Sequence, residues 1–110
     1  MKIENLSSIP TEQNHSNTTF LKRLVEQGEE EGRVATFNYA WLESGKSMEP
    51  HVHEDGNEYY LFLEGNGKMS VGEETSPVIK GDFIKVPSKT QHSVENNSKS
   101  VLNFIVLRTY

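Results

Sequence analysis

From residue 34 onward, apolar and polar positions alternate in short runs separated by turn residues. Val34 to Leu42 alternates strictly enough to put Phe37, Tyr39 and Trp41 on one face of a strand. Met48 to His53 is a second extended run, and Asn57 to Glu64 is an aromatic and apolar third. Asn66-Gly67 is the strongest hairpin signal in the chain, with Lys68 to Val71 as the returning strand and Gly72-Glu73-Glu74 as the next turn. Further short strands are predicted near 75–79, 82–86, 91–96 and 100–108. Turns at about ten-residue spacing indicate an all-β sandwich or barrel.

The upstream part is less regular. Phe20, Leu21, Leu24 and Val25 share a helical face that Gly28 could cap, and the same residues also fit a short strand, so helix and strand both stay open for 18–27. Glu29-Glu30-Glu31-Gly32 reads as a solvated turn. Residues 1–19, polar and rich in Asn, Ser and Thr, read as an arm, of the kind that two copies of a dimer could exchange, ahead of a single domain over 20–110.

Composition narrows the function classes. The chain has 110 residues, enough for one core, but only 34% are hydrophobic, so a second subunit would help to cover that core and a homodimer is expected. It has no cysteine, which excludes disulfides, thiolate zinc sites and thiol catalysis. The start, Met1-Lys2-Ile3-Glu4-Asn5, lacks a signal-peptide core, and no run is long enough to span a membrane, so a cytoplasmic protein with no membrane partner is expected. A net charge of −5 argues against a nucleic-acid surface.

The candidate chemistry lies in His51, His53, Glu58 and His92. Strand alternation puts His51 and His53 on one face, and Val52 on the other. Glu58 has the wrong parity for the same strand, but Glu54-Asp55-Gly56-Asn57 has turn chemistry that would reset the face. Three imidazoles and a carboxylate form the ligand set of a borderline divalent transition metal, and they leave coordination positions open. One such ion per chain is therefore expected, as Fe, Mn, Ni or Zn. His15, in the polar arm, reads as a surface or hydrogen-bonded residue and not as a ligand, and Arg33 and Arg108 read as surface or interface residues. No Gly-x-Ser-x-Gly hydrolase motif and no EF-hand order of acids occurs.

Two stretches around these residues resemble the two signature motifs of the cupin superfamily. The first runs through Gly45, His51, His53, Glu58 and Gly65, and the second through Gly81, Pro87, His92 and Asn96. Lys89 stands where the family usually has glycine, at a turn that asks for positive φ. The resemblance covers about residues 33 to 108. It implies a double-stranded β-helix, a jelly-roll barrel, with His51, His53, Glu58 and His92 as metal ligands at one barrel mouth. It says little about the reaction, because cupins include dioxygenases, decarboxylases, isomerases, lyases and sugar-binding regulators.

The favoured reading is a metal-dependent enzyme acting on a small polar molecule, with dioxygenase-like or other oxidoreductase chemistry slightly ahead. The alternatives are a metal-dependent isomerase or lyase, or a non-catalytic cupin that binds or senses a small ligand. Tyr60 follows Glu58 on the same face and is the candidate donor behind the ligands. Tyr39, Trp41, Phe62, Lys85 and Asn103 are the candidate pocket-lining residues, chosen by alternation.

Overall fold

The computed structural model describes residues 4–28 and 34–110, so the Glu29-Glu30-Glu31-Gly32 turn and Arg33 lie outside the described residues. A 3-10 turn, Leu6–Ser8, opens the chain. Among the described residues ten strands follow: β1 Glu12–Asn14, β2 Thr19–Val25, β3 Val34–Leu42, β4 Ser47–His51, β5 Glu58–Glu64, β6 Asn66–Val71, β7 Glu74–Ile79, β8 Phe83–Val86, β9 His92–Glu95 and β10 Leu102–Thr109. No helix of the described residues is long and apolar enough to cross a membrane.

The strands form a six-stranded sheet in the order β1-β2-β3-β10-β5-β8 and a four-stranded sheet in the order β4-β9-β6-β7. Among the described residues every strand pairing is antiparallel. From β3 the chain passes repeatedly between the sheets, so that β3, β5, β8 and β10 fall in one and β4, β6, β7 and β9 in the other. This is the double-stranded β-helix expected from the motifs. The inner faces meet in a core built from Leu42, Phe62, Phe104, Leu102, Val94 and Met69, among others.

Within 18–27 the structure has a strand, Thr19–Val25, and no helix. Thr19, Leu21 and Arg23 face the interior cavity, while Phe20 stacks on Trp41 outside, with ring centroids 5.4 Å apart. The local pattern fitted a helix, but pairing with β3 satisfies the backbone and overrides it. The arm does not stand free of the chain that carries it: β1 pairs with β2 of the same chain at Glu12↔Leu21 and Asn14↔Thr19.

The Asn66-Gly67 hairpin does not form. The turn lies at Gly65, φ 86°, and the chain there leaves one sheet for the other. Asn66 and Gly67 already belong to β6, opposite Ile79 and Val78. Gly67 serves a close approach instead: a Cβ there would lie 2.5 Å from the Glu95 carbonyl oxygen and 2.8 Å from Leu102. The tight two-residue connection is Gly72-Glu73, between the paired Val71 and Glu74.

Candidate metal centre

The four motif residues arrive from both sheets at one end of the barrel. His51 ends β4 and lies directly across from His92 of β9. Pro50 cannot donate to the ladder, and the register shifts between Met48 and His51, which frees the strand end. His53 lies just beyond β4 in the loop. That loop is fixed by a backbone bond from the Lys89 N–H to the His53 carbonyl, 2.8 Å. Lys89 has φ 61°, so the turn keeps the left-handed conformation expected of the missing glycine. Glu58 opens β5 in the other sheet, after a turn in which Gly56, φ 77°, packs directly on the Thr109 carbonyl.

One ligand atom from each of His51, His53, Glu58 and His92 can be chosen so that all lie within 4.8 Å of one another. Glu58 Oε1 is 2.6 Å from His92 Nε2, and Glu58 Oε2 is 3.3 Å from His53 Nε2. The His92 contact is close, yet this buried nitrogen makes no hydrogen bond of acceptable geometry. Its other nitrogen, Nδ1, lies 2.9 Å from the Thr90 carbonyl, and His51 Nδ1 lies 3.0 Å from the Glu49 carbonyl. A carbonyl only accepts, so both Nδ1 atoms are the protonated ones. In the neutral imidazole Nε2 then carries the lone pair, and in that form both rings can bind an ion. Metal-bound imidazoles are held in this way, and the donor set fits a divalent ion.

Without an ion, the groups of the cluster pair with one another instead. Burial alone would push the Glu58 carboxyl up, but the contacts with His53 and His92 outweigh it and hold the pKa at about 2. Burial brings His51 down to about 4, with the nearby rings of His92 and His15 adding to the effect. Tyr60 is fully buried, and burial beside the Glu58 charge pushes its hydroxyl well above the ordinary range. That hydroxyl donates to Glu58 Oε1 at 3.3 Å.

A cavity of about 210 Å³ opens onto the cluster. Its walls are Thr36, Asn38 and Ala40 of β3, Leu21 and Arg23 of β2, and Val106 and Arg108 of β10. Four of the residues expected there lie elsewhere. Tyr39, Trp41 and Asn103 line a recess on the outer face of the larger sheet with Leu6 and Lys22, and Asn103 donates to the Tyr39 hydroxyl at 2.8 Å. Lys85 is exposed near the β6–β7 connection. Phe62 does point inward, but it is wholly buried in the core and does not line the cavity.

The error is one of parity. On β3 Tyr39 and Trp41 lie on the outer face, whereas the small and polar face, Thr36, Asn38 and Ala40, turns in and leaves the space that makes a cavity. Arg108, expected at the surface, shares the inward parity of Leu102, Phe104 and Val106, and that alternation was readable. His15, expected to be an ordinary surface or hydrogen-bonded residue, stays outside the ligand set. It lines the cavity, with its ring centroid 4.5 Å from that of His51.

Comparison with known proteins agrees with this architecture. The family model for the cupin domain matches residues 39–108. An uncharacterized protein from Methanocaldococcus jannaschii is 46% identical over 46 residues, covering 42% of this chain and 37% of that protein. An oxalate-binding protein from Thermotoga maritima is 32% identical over 66 residues, 60% of this chain and 54% of that protein. The matched region thus spans roughly half of these relatives or less. The crystal structure of a predicted oxalate decarboxylase from Thermotoga maritima superposes with a TM-score of 0.89 over 98% of both chains, at 24% identity, a level that establishes the fold alone. With most of its length matched by the family model, and with a double-stranded β-helix that holds His51, His53, Glu58 and His92 together, the chain belongs to the cupin domain family.

Proposed function

We propose that this chain holds one divalent transition metal through His51, His53, Glu58 and His92. We further propose that it acts there on a small oxygen-rich molecule, with oxidoreductase chemistry as the leading reaction class. The observation that carries the reading is the convergence of the four ligand groups, with the Nε2 lone pairs of His51 and His92 turned inward.

When bound, such an ion supplies Lewis-acid or oxygen chemistry at positions that the protein leaves open. The chain's own residues supply the rest. The Tyr60 hydroxyl holds Glu58 in place. Arg23 pairs with Glu12 at 3.0 Å and Arg108 donates to the neutral Gln27 amide at 3.3 Å, and both cations line the cavity where an anion would sit. A cavity of 210 Å³ has room for about seven waters at about 30 Å³ each, the size of a small carboxylate. Leu21, Ala40 and Val106 limit the water around it.

The second reading is non-catalytic binding of a small dicarboxylate. Its support is the similarity to the oxalate-binding protein, together with the cationic wall of the cavity. One experiment separates the two. Metal-free protein is reconstituted with Fe(II), Mn(II), Ni(II) or Zn(II) and offered oxalate, diketones, catechols and sugar phosphates, with oxygen uptake and carbon dioxide release recorded. Turnover that depends on the metal is expected. Tight binding without turnover in any metal form would reject the enzyme in favour of the binding protein.

A further inference from the structure

The β1–β2 connection puts over the cluster a residue that belongs to neither cupin motif. His15, Ser16 and Asn17 adopt φ of 52°, 60° and 64°, three successive non-glycine residues in the left-handed region. Asn and His take that conformation more often than most residues, but a run of three without glycine is uncommon. The turn persists because it is held from several sides. Thr18 Oγ1 donates to the His15 carbonyl at 2.7 Å, Gln13 Nε2 donates to the Asn17 carbonyl at 3.2 Å, and the Asn14 side chain accepts from the His15 N–H at 3.0 Å. The Ser16 hydroxyl reaches the carboxylate of Glu49 in β4, the strand that ends in His51, at 3.4 Å. Backbone strain fixed by surrounding contacts is a mark of functional positions.

The outcome of that strain is the place of one ring. His15 is half-buried, lies against His51 and lines the cavity. Yet it is not one of the four residues whose ligand atoms gather within 4.8 Å. It is placed to touch what rests on the cluster and not to join it. We infer that His15 contacts the small molecule held on the open side of the metal, donates a ring N–H to one of its oxygens, and so helps to select it. The inference rests on the metal-binding reading above. It gives the β1–β2 turn a purpose that barrel packing does not require.

The test uses Co(II)-loaded full-length protein. Oxalate and azide, a general occupant of open metal positions, are titrated separately and followed by the visible spectrum of the ion. Two variants keep the turn, because glycine and asparagine both accept the left-handed conformation. His15→Gly removes the side chain, and His15→Asn keeps an N–H donor. His15→Gly is expected to weaken ligand binding about tenfold, the scale of one buried hydrogen bond, with His15→Asn recovering most of that loss. Co(II) affinity should be the same in all three proteins.

Unchanged affinity for both probes in His15→Gly would overturn the inference. So would a loss of Co(II) affinity as large as that of His51→Ala, which would make His15 a metal ligand. Wild-type protein that binds azide but not oxalate would remove dicarboxylates from the proposed function and leave azide to decide the role of His15. Failure of wild-type protein to hold Co(II) would overturn both readings.

Discussion

Glu58 and His51 illustrate opposite outcomes of burial. The Glu58 carboxyl is held down at about 2 by its histidine partners against the effect of burial, and the His51 imidazole is brought down to about 4 chiefly by burial itself. Both folded pKa values lie below their unfolded ones, near 4.5 and 6.5. The unfolded chain therefore binds more protons, first at His51 as pH falls from about 6.5 to about 4, then at Glu58 from about 4.5 to about 2. Metal-free protein is expected to lose stability through both windows, with a slope of about one proton in each. Urea midpoints measured from pH 7 to pH 3 check this, and a midpoint flat down to pH 4 would contradict it.

Lys89 supports a second residue-scale prediction. It holds φ 61°, so Lys89→Gly should stabilise the protein by about 1 kcal/mol, read as a raised thermal midpoint. A lowered midpoint would mean that the Lys side chain itself braces the turn. At this scale the ligands were legible because three imidazoles and a carboxylate recur at offsets that one face of a barrel requires. His15 was not legible. Its position depends on a left-handed turn and on a long-range approach to β4, neither of which alternation encodes.

Among the elements, the link between β9 and β10 depends on one side chain. Asn96 is completely buried, donates to the Leu42 and Ser100 carbonyls at 2.9 and 2.7 Å, and accepts from the Ser98 backbone N–H at 3.1 Å and the Ser98 hydroxyl at 2.7 Å. Asn96→Ala leaves two buried carbonyls and a turn without partners, and should cost about 3 kcal/mol. Equilibrium denaturation checks the figure, and a loss below about 1 kcal/mol would show that water replaces the amide there.

The strands themselves were largely readable, since a two-residue period survives in β3, β5 and β10. What failed at this scale was the choice between equivalent patterns. Four apolar residues in 18–27 fit helix and strand alike until β3 is available to pair. Asn66-Gly67 has the composition of a hairpin turn but lies where Glu95 and Leu102 come too close for a side chain. On β3, alternation grouped Phe37, Tyr39 and Trp41 correctly, but no local signal says which of two faces is inside.

Across the whole molecule, the motif spacing implied the barrel, and two sheets joined by repeated crossings form it. Assembly is a separate matter. Ile79 and Phe83 stand exposed at 59% and 63% near the outer edges β7 and β8, and Val101 at 47% beside the outer recess. We propose that two copies cover part of this surface. Light scattering is expected to give the mass of a dimer at micromolar concentration, and a monomer throughout that range would contradict it.

The central claim is that His51, His53, Glu58 and His92 form one metal centre, and metal stoichiometry tests it most directly. Metal-free wild-type protein and a His51→Ala/His92→Ala variant are each equilibrated with Mn(II) or Co(II), freed of excess ion and assayed for bound metal and for thermal midpoint. About one ion per chain and a raised midpoint are expected for wild type, and neither for the variant. Equal metal content in both proteins, or none in the wild type, would contradict it.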